Sequence, residues 1–160
     1  MAWYNKSVER GTRMYQIRKA VTTDFEHVLN LIKNIKENEK RYLMYDENSD
    51  QFIKRLLKNI QEDHVVLFTS DQHIFGFLEY DIQAMSKIWV YSLYFHEDYR
   101  KTTYTLLIPL FNGMKQSYQL PIHFAVYPDN YAMNLLVKFI RAELIAVYHD
   151  TRREYCVRRF

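Results

Sequence analysis

The sequence predicts a single α/β domain, a mixed and mostly antiparallel sheet with helices on both faces, in the order β-α-α-β-β-β-α-β-α-β-β. Three observations lead there. Two stretches of helical period, near residues 25–37 and 50–61, are followed by a change of period from His64, where two strand-like runs flank a tight turn. A nearly continuous apolar and aromatic strand, Ile88–Phe95, then runs straight into a polar turn and an apolar helix. Finally, 160 residues suffice for one core, and no repeat, low-complexity segment or linker divides them.

Residues 1–13 show no period and read as an N-terminal arm, with Trp3 and Tyr4 as its large apolar groups; residues 14–160 form the domain. Met14–Ala20 alternates and reads as the first strand. Thr23-Asp24-Phe25-Glu26 has the form of a capping box, and Phe25, Val28, Leu29, Ile32 and Ile35 continue as a helical stripe to about Glu37. Glu37–Asp50 is polar around Tyr42-Leu43-Met44-Tyr45 and reads as a long loop or lid. Ser49 or Asp50 then caps a helix with Ile53, Leu56, Leu57 and Ile60 on one face. HVVLFTS from His64, a turn at Asp71-Gln72-His73 and IFGFLEYDIQ form a hairpin, and Ala84–Lys87 turns the chain into Ile88–Phe95.

The next helix is expected from about Thr103 to Ser117. Pro109 inside it removes an N–H and crowds the preceding turn, at a cost of roughly 3 kcal/mol; that calls for a regular helix starting late, near Leu106. Pro121–Tyr127 is a strand, Asp129 or Asn130 caps a helix through Leu135, Leu136, Phe139 and Ile140, and the chain closes with LIAVYHD, a turn at Thr151-Arg152-Arg153 and EYCVRRF as a hairpin.

Composition narrows the function classes. A net charge of +3 permits an anionic partner without pointing to nucleic acid, and no nucleic-acid motif accompanies the arginines at the last hairpin. No apolar run approaches the length of a membrane span, and MAWYNKSVERGTR lacks the apolar core of a secretory signal. One cysteine, Cys156, excludes an intrachain disulfide and suits a reducing, cytoplasmic setting. The six histidines lack metal-ligand spacing, so no metal site is expected. Aromatics are the oddity: 14 Tyr and 10 Phe stand against 3 Gly. Tyr42, Tyr45, Tyr91, Tyr94, Tyr99, Tyr104, Tyr118 and Tyr131 exceed what one core needs, and a tyrosine-rich surface suits protein partners.

This order, and two stretches within it, resemble the GCN5-related N-acetyltransferase superfamily. In that family an apolar strand, often a Tyr-Arg pair, and Q/R-x-x-G-x-G/A at a helix start hold the pyrophosphate of an acyl-CoA. Here the strand is Ile88–Phe95, the pair Tyr99-Arg100, and the signature falls on Arg100-Lys101-Thr102-Thr103-Tyr104-Thr105, with threonine at both glycine positions. Glycine would let backbone N–H groups approach a phosphate closely, whereas threonine adds a β-branched side chain. The second stretch is Val126-Tyr127-Pro128-Asp129-Asn130 and Leu136-Val137-Lys138-Phe139-Ile140. Many members carry a proton-donating tyrosine where Val137 stands, and a Gly-Phe where Arg141-Ala142 stand.

The resemblance implies an acetyltransferase that moves an acetyl group from acetyl-CoA, or another acyl-CoA, to a primary amine entering beside Glu37–Asp50. Leu93, Tyr94 and Phe95 would lie along the pantetheine arm. Arg100, Lys101, Thr102, Thr103, Tyr104 and Thr105 would lie at the phosphates, with Asn130 opposite. Glu79 is the candidate base, and the acid is unassigned; a solvent-facing Glu79 on an alternating strand is the alternative. The departures support a second expectation: the same fold without cofactor or catalysis, kept as a structural or assembly protein. The Asn-to-helix stretch also resembles small virion proteins of short-tailed bacteriophages, with Lys138 and Ala142 in matching places, which would put the protein in a virion.

Overall fold

The computed structural model describes residues 6–10, 13–42, 49–71, 73–149 and 154–160. Trp3, Tyr4, Leu43-Met44-Tyr45, Gln72 and the turn residues Thr151-Arg152-Arg153 lie outside the described residues.

Among the described residues eight strands form one sheet: β1 (Lys6–Arg10), β2 (Arg13–Lys19), β3 (Val65–Ser70), β4 (His73–Gln83), β5 (Lys87–Phe95), β6 (Ile122–Val126), β7 (Glu143–His149) and β8 (Glu154–Arg159). Their spatial order is β1-β2-β3-β4-β5-β6-β8-β7. Every neighbouring pair is antiparallel except β5 with β6. The helices are α1 (Phe25–Lys33), α2 (Glu37–Lys40), α3 (Asp50–Gln61), α4 (Arg100–Tyr118) and α5 (Tyr131–Phe139). The mixed sheet and the order of the main helices and strands agree with the sequence.

Three local readings change. Residues Lys6–Arg10, expected in a loose arm, pair antiparallel with β2 as an edge strand. Backbone pairing at an edge needs no apolar alternation, so composition concealed it. Glu37–Lys40, expected within a loop, forms the short helix α2. The capping box at Thr23–Glu26 does not form. A 3₁₀ turn spans Thr22–Asp24, and the Asp24 carboxylate accepts from Val21 N–H at 2.9 Å and from both terminal nitrogens of Arg18 at 2.7 and 2.9 Å.

That pair sets an acid limit on stability. The Arg18 hydrogen bonds outweigh burial and hold Asp24 below the usual carboxylate range. A carboxylate depressed in the folded state stabilises above its unfolded value, about 3.9, and loses that contribution as pH falls through the folded value. Urea midpoints measured from pH 6 downward should fall for the native chain, and less steeply for Asp24→Asn.

The two faces of the sheet carry separate cores. On one, α1 and α3 place Val28, Leu29, Ile32, Phe52, Leu56 and Ile60 over Val65, Leu67 and Phe77. On the other, Leu106, Leu107, Leu110, Phe111 and Met114 of α4 and Leu136 and Val137 of α5 cover Phe68, Phe75, Leu78, Tyr80, Ile88 and Val90. Ser49 caps α3, accepting from Phe52 N–H at 3.1 Å, as its sequence position predicts. The buried face of α3 includes Phe52 and Asn59, both outside the predicted stripe. Among the described residues no helix is long and apolar enough to cross a membrane, and no cluster of three His, Cys, Asp or Glu residues is placed to hold a metal.

Candidate functional site

The site begins with a failure of strand pairing. β5 and β6 pair in parallel at Ile88–Ile122, Trp89–His123 and Val90–Phe124, and the ladder stops there among the described residues. β5 runs on to Phe95 and β6 to Val126. A bulge contributes to the parting: Glu79 lies opposite Ser92 and Tyr80 opposite Val90, which leaves Tyr91 as the extra residue. Such a residue bends its strand. Between the parted ends lies a cleft of about 330 Å³, walled by Val90–Phe95 and Ala125, and by Arg100 and Tyr104 on one helix and Met133 and Leu136 on the other.

Of the residues the sequence nominated, Leu93, Tyr94, Phe95, Arg100, Tyr104 and Asn130 line this cleft. Lys101, Thr102, Thr103 and Thr105 are not among its lining residues. The reason is where the helix starts. α4 is regular from Arg100, well before Leu106, and a 3₁₀ turn at Glu97–Tyr99 leads into it. Its own ladder takes up N–H groups from Thr103 onward. Thr103 is fully buried, and its hydroxyl donates to the Tyr99 carbonyl at 2.7 Å. The Thr105 hydroxyl donates to the Thr102 carbonyl at 2.6 Å. Both hydroxyls are thus bonded within the helix and turned away from the cleft where Thr103 and Thr105 were expected to meet the phosphates. Pro109 sits exposed in the middle of this unbroken helix, with its ring on the solvent side.

Arg100 does reach the cleft, but it is engaged. Its guanidinium pairs with Glu39 of α2, and its Nε donates to the Phe95 carbonyl at 3.4 Å. No local sequence pattern singles out Glu39. Its neighbours extend the same arrangement across the cleft mouth. Lys36 pairs with Glu97 at 2.7 Å on the β5 side. On the β6 side Arg41 pairs with Asp129 at 3.4 Å, and the Tyr42 hydroxyl donates to the Asp129 carbonyl at 2.9 Å. The segment around α2 thus touches both banks of the cleft. Sequence separations of 61 and 87 residues in these contacts explain why no local pattern announced them.

Glu79 occupies neither place expected of it. It is fully buried, not solvent-facing, and is not a cleft-lining residue. Its carboxylate accepts from Arg55 at 3.1 and 3.3 Å and from Asn59 at 2.7 Å, with the Ser92 hydroxyl at 3.5 Å. Arg55 and Asn59 stand four apart on α3, which puts both on the face turned to β4. Ser92 lines the cleft and links it to this buried pair.

The tyrosines gather around the same cleft. Tyr42, Tyr91, Tyr94, Tyr104, Tyr127 and Tyr131 all line it. Burial raises the phenols of Tyr94 and Tyr104, so both remain protonated at neutral pH. The Tyr104 hydroxyl donates to the Ala132 carbonyl at 3.4 Å. Tyr99 stacks on Phe75 at 4.3 Å, and the Tyr118 and Tyr80 hydroxyls lie 2.8 Å apart, so these two serve the core. Val137 is buried and outside the lining, while the Asn130 side chain caps α5, accepting from Met133 N–H at 3.2 Å.

No family model and no curated protein matches the sequence. Solved structures do match the fold. A RimL ribosomal L7/L12 α-N-protein acetyltransferase in complex with coenzyme A is 12% identical, with 97% of each chain covered and a TM-score of 0.74. A probable acetyltransferase from Staphylococcus epidermidis is 15% identical over 92% of this chain and 98% of its own, at 0.73. An acetyltransferase of the GNAT family from Bacillus cereus is 15% identical over 92% and 96%, at 0.68. At such identities the likeness speaks for architecture, and the parted β5 and β6 with α4 and α5 beside them agree with it. The chain carries, in divergent form, the fold of the GCN5-related N-acetyltransferases.

Proposed function

We propose that the chain is a weak N-acyltransferase that moves an acetyl group from an acetyl-CoA-type thioester to a primary amine in the cleft between β5 and β6. The parting of these strands after Val90 and Phe124 carries the reading. Along a parted strand every second residue turns its N–H and C=O away from its remaining neighbour, so Tyr91–Phe95 offers backbone partners to the amides of a pantetheine arm. The amine nitrogen would bond to the thioester carbonyl carbon while the C–S bond breaks. The amine gives up a proton to solvent, and the leaving thiolate takes one. A protonated cleft phenol fits that last role; Tyr94 and Tyr104 both line the cleft and both are protonated at neutral pH, so either can supply it. Glu79 is held by Arg55 and Asn59, so no base is assigned, and rate would come chiefly from alignment of the reactants.

A second reading rests on specific observations. Arg100 is paired internally, Thr103 is buried, and Val137 is buried outside the cleft lining. These favour the same fold acting as a structural or assembly module, a virion component for example, with the tyrosine-lined mouth as its binding surface. Calorimetry with acetyl-CoA, followed by thiol release in the presence of small primary amines, separates the two. Micromolar to submillimolar binding with amine-dependent thiol release is expected. Absence of binding at millimolar thioester would leave the second reading.

A further inference from the structure

The two ends of the cleft are unlike, and the difference bears on which part of a thioester donor it recognises. The strand end is open and walled by apolar and aromatic side chains. At the helix end, where a diphosphate would have to sit, Arg100, Thr103 and Thr105 are already engaged within the protein. Thr103 is fully buried at the start of α4, and both Thr103 and Thr105 spend their hydroxyl protons on helix carbonyls. Arg100, the one cation aimed into the cleft from that helix, is paired with Glu39. The other charged lining residues are Arg41 and Asp129, themselves paired at 3.4 Å. Among the described lining residues, two carboxylates therefore offset two guanidiniums. A volume of 330 Å³ also lies at the small end of ligand sites, which run from about 300 to 1,000 Å³.

We propose that the cleft recognises the acyl-pantetheine arm of its donor and makes no use of a nucleotide diphosphate. This rests on the thioester reading above. The arm is uncharged and extended, and it carries amides that suit a parted strand. A diphosphate would enter a site where Glu39 opposes it and where the Thr103 and Thr105 hydroxyls are turned to helix carbonyls. To be held at Arg100, it would first have to displace a carboxylate already in charge-assisted contact with that guanidinium. The shared ligand chemistry is thus an S-acyl pantetheine, whether free, in CoA or on a pantetheinylated carrier protein.

The test is calorimetry on the full chain with S-acetylpantetheine, acetyl-CoA, an acetylated carrier protein and adenosine 3′,5′-bisphosphate, each repeated on Glu39→Gln. In the native chain S-acetylpantetheine and acetyl-CoA should bind within about threefold of each other, and the nucleotide should not bind. Glu39→Gln should tighten acetyl-CoA about tenfold and make its binding salt-sensitive, with S-acetylpantetheine unchanged. A carrier protein binding more tightly than both small thioesters identifies the carrier as the source of the arm and supports the proposal. If acetyl-CoA binds about fiftyfold or more tighter than S-acetylpantetheine in the native chain, the proposal fails and the acyltransferase reading stands. If no thioester binds, both fail. The native-chain comparison stands even if the variant does not fold.

Discussion

Replacing Arg55 with alanine should lower the unfolding free energy by about 3 kcal/mol, among the largest effects of any single substitution here. Glu79 is completely buried, and Arg55 supplies its compensating charge through two hydrogen bonds. Without Arg55 a carboxylate stays in the core with Asn59 and Ser92 as its remaining neighbours. The Arg55 side chain is about one-third exposed, which sets the expected loss at the lower end of the range for broken buried pairs. A double variant, Arg55→Met with Glu79→Gln, should recover most of it, because the buried charge goes with its partner. Urea unfolding of the three chains reads this directly; a loss below about 1 kcal/mol for Arg55→Ala would show that water or a rearranged side chain reaches Glu79. One further variant, Glu79→Gln alone, decides the catalytic question. Glu79→Gln should retain thiol release within about threefold, whereas loss of a true general base costs about 10²–10⁴-fold.

Gly76→Ala should cost about 1–3 kcal/mol by overpacking and should weaken thioester binding as well. Gly76 lies opposite Phe95 in the β4–β5 ladder. A Cβ built there would sit 2.4 Å from Phe95 Cδ1 and 2.6 Å from the Tyr94 carbonyl oxygen. The ring can turn, but the carbonyl belongs to the backbone of the strand that walls the cleft. Relief therefore requires β5 to move where it borders the ligand. A variant with native stability and native affinity would contradict the close approach of β4 to β5 at this point.

The sheet and most of the helices were legible in the sequence because their signals are local. The apolar strand runs of Val65–Ser70 and His73–Gln83, the apolar run into Phe95 and the Ser49 and Asn130 caps each sit within a few residues of what they determine. The cleft was legible through Leu93–Phe95, Arg100, Tyr104 and Asn130, which belong to the two stretches flanking the parted strands. What controls the cleft was not. The Glu39–Arg100 and Arg41–Asp129 pairs join segments far apart in the chain, and a polar loop composition gives no hint of them. Glu79 could have been read better: Arg55 and Asn59, four apart and beside the buried Leu56, are polar side chains aimed at a core, and such groups need a partner there. The tyrosine excess was visible, but its role lay in a wall around one cleft, which only the fold brings together.

The central claim, that Tyr91–Phe95 and Ala125–Tyr127 form the two banks of a thioester-binding cleft, is tested most directly by amide chemical-shift mapping during a titration with S-acetylpantetheine and acetyl-CoA. Saturable shifts confined to those two strand ends, with Arg100, Tyr104 and Met133 beside them and the α1–α3 face unaffected, are the predicted result. No shifts at millimolar thioester, or shifts centred away from the parted strands, would contradict it.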